Sequence, residues 1–390
     1  MRRALACLSL LAAASAAAPA HANGRFPRSQ KLVFQPGHPQ TALVGLTFGA
    51  FLTKDDGATW RWICEAAVGF EGTFDPDYEL TASGAMVATT PHGLRINRDG
   101  CTWAPAAGDV GTTQVTSLAL AGDGALYTGT SDVVAGSAIY KSTDDGVTFT
   151  PTGLVGAAGD WWSSIEVTPS APQRLLVTGY RLAGGMPRVR LLFRSADGGA
   201  TWDELPTAAL VGTDAADLLI AAIDPADPDV VFLRITATGP TIGEALYRTA
   251  DFWTTAPGGP TWTKVLEQPD RISAVLARTG GEVVAATPTF GMFRSTDGGQ
   301  TFTPIPDVRF DTRCLVERPG GDLWMCTNNV PPDSATLHRS TAGAAGPWTP
   351  ALAFADLTGP VRCAAGTVQH DSCEAMWCGL KENFAIRSDE

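Results

Sequence analysis

The chain has 390 residues, with 40 acidic against 28 basic side chains and a formal charge of −12. That balance opposes binding to nucleic acid and to anionic lipid, and no basic run reverses it locally. With 17% charged residues, 42 Gly and 27 Pro, the chain is too apolar to be disordered and rich enough in turn formers for many short elements.

The N-terminus reads as a targeting segment. Met1-Arg2-Arg3 is basic, 4–18 is an apolar run, and Ala20-His21-Ala22 is an A-x-A cleavage signal. The run is shorter than the roughly 20 residues of a membrane-spanning helix. Residues 1–22 are therefore expected to be a signal peptide. Residues 23–390 are then one exported domain, secreted or periplasmic. Cys7 after Leu5-Ala6 offers a lipoprotein box as the alternative, although only six residues precede it. No later run is long and apolar enough for a spanning helix, so no membrane insertion is expected.

One pattern then recurs. Thr53-Lys54-Asp55-Asp56-Gly57-Ala58-Thr59-Trp60 is matched by STDDGVTF at 142–149, SADGGATW at 195–202 and STDGGQTF at 295–302. These copies fit S/T-x-D-x-G-x-T-W/F without a gap. Asn97 to Trp103 is one residue short; Thr249-Ala250-Asp251 reaches Thr261-Trp262 through an insertion; Ser340-Thr341 reaches Trp348 without the Asp. The starts at 53, 97, 142, 195, 249, 295 and 340 give a period that suits four short strands and their turns, one propeller blade.

The motif resembles the Asp-box (BNR-like) repeat of bacterial neuraminidases, sortilin-type receptors and xyloglucanases, where it forms the turn between the third and fourth strands of a blade. The chemistry agrees: Asp accepts N–H groups of its own turn, Gly supplies positive φ, and the Trp or Phe buries a large apolar surface. Asp55, Asp99, Asp144, Asp197, Asp251 and Asp297 are accordingly expected to be structural. Innermost strands are expected near 31–35, 78–82, 115–120, 164–168, 218–224, 272–277, 313–317 and 361–364. Eight such strands predict an all-β, eight-bladed β-propeller closed by an N-terminal strand from 23–30 that completes the last blade. The alternative is seven blades, with a weak unit such as 68–107 packing irregularly.

Seven cysteines follow the cleavage point, and an exported chain can keep disulfides. Cys314 and Cys326 flank Pro319-Gly320-Gly321-Asp322 symmetrically, as a hairpin pair would. Cys363 with Cys378 and Cys64 with Cys101 are the other expected pairs, leaving Cys373 over; buried thiols are the alternative. No C-x-x-C occurs and the five His are scattered, so no metal site is expected. No cofactor motif is present.

Ligands of such propellers are expected on the face opposite the box turns. The longer loops there are 131–137, 181–190, 236–244 and 328–335. Asp160-Trp161-Trp162 precedes the fourth inner strand on that face and can stack on sugar rings or grip a protein; plugging the channel or wedging between blades is the alternative. Arg271, Arg313 and Arg362 start three consecutive inner strands and so form a candidate carboxylate clamp. The resemblance to neuraminidases implies such a triad. However, Arg25-Phe26-Pro27-Arg28 departs from that family's F/Y-R-I-P motif, and Glu166 and Glu317, on inner strands, have no evident Tyr partner. Two functions stand open. One is an exported, monomeric, non-catalytic binding or scaffold module for a protein or carbohydrate ligand; propellers of photosystem-assembly type, which also carry the repeat, are a special case. The other is a glycan-active hydrolase or lyase with carboxylates such as Glu71, Asp75, Asp77 or Asp160 at the channel mouth.

Overall fold

The computed structural model describes residues 26–132, 136–182, 188–211, 215–237, 243–254 and 258–384. The expected signal peptide and Asn23 lie outside these residues, as do parts of three of the expected ligand loops, 133–135, 183–187 and 238–242.

The strands form seven antiparallel four-stranded meanders, each in chain order. Blade 1 holds β1 (Ser29–Gln35), β2 (His38–Leu46), β3 (Gly49–Thr53) and β4 (Arg61–Cys64). Blade 2 holds β5 (Tyr78–Leu80), β6 (Met86–Ala88), β7 (Arg95–Asn97) and β8 (Trp103–Pro105). Blade 3 holds β9 (Val115–Leu120), β10 (Leu126–Thr130), β11 (Ala138–Ser142) and β12 (Thr150–Val155). Blade 4 holds β13 (Asp160–Val167), β14 (Leu175–Arg181), β15 (Val189–Ser195) and β16 (Asp203–Glu204). Blade 5 holds β17 (Ala215–Ile223), β18 (Val231–Ala237), β19 (Glu244–Thr249) and β20 (Thr263–Gln268). Blade 6 holds β21 (Ala274–Ala277), β22 (Val283–Thr287), β23 (Gly291–Ser295) and β24 (Thr303–Pro304). Blade 7 holds β25 (Cys314–Glu317), β26 (Leu323–Cys326), β27 (Leu337–Ser340) and β28 (Thr349–Leu352). The first strands touch in sequence, β1 to β5, β9, β13, β17, β21 and β25, and β25 returns to β1. The array is therefore a circle, a seven-bladed all-β propeller with its first strands around the axis.

The repeated motif makes the turn between third and fourth strands in blades 1 to 6, while blade 7, without the Asp, ties its turn through Ser340 Oγ to Gly343 O (2.8 Å). Ser195 Oγ donates to Asp197 (2.8 Å) and accepts the Gly199 N–H (2.9 Å), while Asp197 accepts the Thr201 N–H (2.9 Å) and hydroxyl (2.6 Å). Asp55, Asp144 and Asp297 hold the same bonds. The irregular copies keep the principle: Asp99 takes the N–H groups of Cys101 and Thr102 (both 2.7 Å), and Asp251 reaches the Thr261 N–H (2.8 Å) across the insertion. The residue before the Ser or Thr grips the next blade's turn in blades 3 to 5. Lys141 donates to Gly198 O (3.4 Å), Arg194 to Phe252 O and Thr254 O (3.2 Å), and Arg248 to Gly298 O (2.6 Å).

The expected eighth blade, the closing N-terminal strand and two of the disulfide pairings are corrected. The eighth blade does not exist: residues 361–364 form no strand, and 369–373 and Glu374–Asn383 are helical. Glu, Ala, Met, Leu and Lys there are helix formers, and none is β-branched. Met376, Trp377, Leu380 and Phe384 pack onto the blade 1 core, with Phe384 4.6 Å from Phe354 and 5.5 Å from Phe48, and Trp377 6.1 Å from Trp62. Blade 2, the unit that a seven-bladed count left irregular, is a short but regular sheet.

The ring is also not closed by an N-terminal strand among the described residues. Phe26 and Arg28 offer their carbonyls to Thr47 of blade 1 (3.0 and 3.1 Å), not to blade 7. Closure falls to the other end of the chain. Residues 358–361 run beside β4 in parallel: Thr358 N–H to Trp60 O (3.0 Å), Trp62 N–H to Gly359 O (2.9 Å), Val361 N–H to Trp62 O (2.9 Å). The strap is then bolted by Cys64–Cys373 and Cys101–Cys363, whereas Cys314–Cys326 staples the first hairpin of blade 7. Cys64 with Cys101 and Cys363 with Cys378 are thus overturned. Both pairings assumed neighbouring blades, while the tail folds back over blades 1 and 2; Cys378 is a free, exposed thiol.

A disulfide constrains the unfolded chain more when it closes a longer loop. Taken by loop length alone, the bonds at separations of 309 and 262 residues are expected to contribute about 5–6 kcal/mol each and the one at 12 about 3 kcal/mol. Urea unfolding of the three Cys→Ala pair variants should show the two strap variants falling further than Cys314→Ala/Cys326→Ala.

Candidate functional site

Antiparallel meanders divide the molecule into two faces. The box turns and the hairpins joining first to second strands share one, the turn face. The connections from second to third strands and from blade to blade share the other, the loop face.

On the loop face, the Asp160-Trp161-Trp162 stretch is split by strand alternation. Trp162 is fully buried, edge-on to Phe193 at 5.7 Å, so it wedges between blades and is no ligand platform. Asp160 is buried and forked by Arg181 (2.5 and 2.8 Å) while accepting the Ala157 N–H (2.9 Å), so its carboxylate is fully engaged in the scaffold. Trp161 alone faces outward. It stacks nearly parallel on Tyr180 (6.2 Å, 12°), and the Arg188 guanidinium lies 4.3 Å from the Tyr180 ring centroid.

The three arginines are not brought together. Arg313, just before β25, is held by Asp311 (2.7–2.8 Å) and lines the axial cavity. Arg271 is exposed ahead of β21. Arg362 is exposed on the strap beside the Cys101–Cys363 bond, because its segment is no inner strand. Glu71 and Asp75 are exposed on the loop leading to β5.

The largest concentration of unusual charge lies on the axis. A cavity of about 420 Å³ is lined by Lys31, Glu166, Arg234 and Arg313, with Leu32, Ile220, Val275, Leu315 and Val316 among its apolar neighbours. Lys31 Nζ is 2.6 Å from Asp77 and 3.7 Å from Glu79. Asp77 also accepts N–H groups of Tyr78 (3.0 Å) and Leu118 (3.3 Å). Burial pushes the Glu79 and Glu166 carboxyls up to about 7, even though Lys31 favours their ionised forms. Burial works to lower Lys31, but Asp77 and Glu79 overcome it and hold the ammonium charged. Of these residues the sequence points to Arg313 and Asp77 and places Glu166 on an inner strand; Lys31, Glu79 and Arg234 were not among the expected site residues. The signal was there, as charges at alternate positions of an innermost strand (Asp77, Glu79) share one face, and on that strand the face is the channel. Among the described residues no group of His, Cys, Asp and Glu is placed to hold a metal ion, and none of the four described His lines the cavity. Tyr78 is buried in the core of blades 1 and 2.

No protein-family model matches the chain, and no curated protein does. Solved structures match in fold. The extracellular domain of the putative hybrid two-component system BT4673 from B. thetaiotaomicron aligns over 80% of this chain at 13% identity, TM-score 0.53. YCF48 from Cyanidioschyzon merolae aligns over 77% of this chain and 92% of its own, at 13% identity and TM-score 0.54. A streptogramin B lyase aligns over 78% and 92%, at 11% identity and TM-score 0.51. The chain spans only 38% of the BT4673 domain. These are β-propellers that include an extracellular domain and an enzyme, and at such identities they establish the fold alone.

The two sets of shifted carboxyls have opposite consequences for stability. Glu79 and Glu166 hold protons more tightly folded than unfolded, so the stability they lend is present at low pH. It is lost as pH rises from the ordinary glutamate value of 4.5 to about 7. Asp144 and Asp197, pulled down to about 2 first by the hydroxyls of Thr148 and Thr201, stabilise above the ordinary aspartate value of 3.8 and lose that as pH falls. The melting temperature should therefore decline between about pH 4.5 and 7. The Glu79→Gln/Glu166→Gln variant should flatten that decline while keeping the loss at acid pH; scanning calorimetry across pH checks both.

Proposed function

We propose that the chain is an exported, non-catalytic binding propeller whose loop face docks a protein partner. The observation that carries this reading is the distribution of exposed apolar side chains. Eight large hydrophobic residues stand exposed among the described residues. Phe26, Val155, Leu182, Val189, Phe290 and Val330 all lie on the loop face by topology; Val147 is in a box turn and Val368 on the strap. Six of the eight thus share one face, and Leu182 and Val189 flank a single blade 4 loop there; adjoining exposed apolar residues mark a contact surface, while scattered ones carry no such meaning. Trp161, Tyr180 and Arg188 supply an aromatic–guanidinium ledge on the same face, the residue types that anchor interfaces. Three disulfides and the likeness to an extracellular domain support export, as does the N-terminal segment.

A glycan-active enzyme is the second reading, favoured by the two channel carboxyls that keep protons near neutrality, as a general acid must. Asp160 no longer supports it, being locked to Arg181.

Capture from the envelope and secreted fractions of the source cells, by wild type and by three variants, separates the readings. Leu182→Asp/Val189→Asp and Trp161→Ala are expected to lose the wild-type partner by at least tenfold, and Val147→Asp on the turn face to retain it. Equal capture by all would remove the loop face as the site. Turnover on a fluorogenic glycoside panel that disappears with Asp77→Asn or Glu166→Gln would establish the enzyme instead.

A further inference from the structure

The axial cavity carries a charge imbalance that the rest of the molecule does not share. Its two arginines are paired within the fold: Arg234 with Glu244 (3.4 Å) and the Ile272 carbonyl, Arg313 with Asp311. Lys31 answers Asp77 and Glu79. Glu166 is different. Among the described residues it has no hydrogen bond and no ion pair within 4 Å, only the longer-range field of Lys31 and Asp77. It projects from β13 into the cavity, exposed to the cavity's solvent yet walled in by protein. Three carboxyls thus converge around one ammonium, and the unanswered one faces open space.

We propose that this cavity binds a small organic amine as its ammonium ion, with Glu166 as the counter-charge and the aliphatic wall of Leu32, Ile220, Val275, Leu315 and Val316 taking an apolar body. The size fits: about 420 Å³ lies within the range of small-molecule pockets. The sign fits, because a cation beside Glu166 favours its ionised form against the burial that holds its proton. A metal ion does not fit. The Lys31 ammonium already stands between Asp77 and Glu79, and among the described residues no cluster of ligating side chains is placed for one. An inorganic cation would also leave the aliphatic wall unused. The site is independent of the loop-face partner.

The test is calorimetric titration of the mature chain with n-hexylammonium, with n-hexanol and hexanoate as matched controls. Hexylammonium is expected to bind at least tenfold more tightly than either control at pH 8. Glu166→Gln, which removes charge without volume and relieves repulsion, is expected to erase that preference. Affinity for hexylammonium should fall as pH drops from 8 to 5.5. Glu166 is the acid lining the site and Lys31, Arg234 and Arg313 are the bases, with Asp77 and Glu79 standing on Lys31. Equal binding of amine and alcohol would overturn the proposal. So would binding that Glu166→Gln leaves unchanged, or affinity that does not move with pH.

Discussion

A ring of sheets is only as stable as its joint. Six of the seven blade contacts are made by consecutive blades, so the connecting chain keeps each pair at high effective concentration. The contact of blade 7 with blade 1 has no such help, since its partners are almost the whole chain apart. The structure concentrates its strongest local devices there. Ser29 donates to two carbonyls of blade 7, at Thr327 (3.3 Å) and Thr336 (3.0 Å). Phe34 meets Trp324 edge-on at 5.8 Å, and Arg318 clasps Asp56 at 2.5 Å. One apolar cluster runs from β1 through Trp324 and Phe354 to Cys373. The strap then covers β4, the outermost strand of blade 1, whose unpaired backbone groups would otherwise invite foreign strands.

This division between local and remote explains what could be read from the chain. The box turns were legible because their chemistry is complete within eight residues: hydroxyl, carboxylate, Gly and aromatic are all in one stretch, and repetition supplies the check. Seven of the eight expected innermost strands stand where the pattern placed them. The hairpin disulfide Cys314–Cys326 was legible for the same reason, since pairing across a short turn is a local property. The strap was not. Cys64 meets Cys373 and Cys101 meets Cys363 only after the ring has closed, and no spacing in the chain encodes that meeting. Counting innermost strands also failed at 361–364 because a short Val-containing run is as compatible with a bridging segment as with a strand. Membership was decided by what followed, a helix-forming stretch with its apolar residues on one side.

The candidate site repeats the lesson at the level of single side chains. Adjacent tryptophans in a strand must point opposite ways, so Trp161 and Trp162 cannot both be platform or both be core. Which is which depends on register, and Trp162 sits in the cleft between blades 3 and 4. Arg362 was assigned to an inner strand that does not form, and the clamp lost its third member with that strand. Lys31, Glu79 and Glu166 come from three different blades, and nothing but the circle brings 31, 79 and 166 to one axis.

That convergence has an electrostatic consequence that follows from the architecture. The innermost strands are edge strands, each paired on one side only, so the backbone N–H groups on their free side are the donors within the fold for a charge on the axis. Asp77, just ahead of β5, obtains two, from Tyr78 and from the free side of β9 at Leu118. Glu166 stands inside a paired stretch, opposite Leu176 of β14, and obtains none. Its carboxylate must therefore be answered by something other than its own sheet: a proton, the distant Lys31, or a cation from outside. The ring holds the unanswered group in place at a cost in stability, and the strap, the inter-blade clasps and the box turns provide the rigidity that makes such a cost tolerable. A looser scaffold would relax until the carboxylate reached a donor; a closed ring cannot.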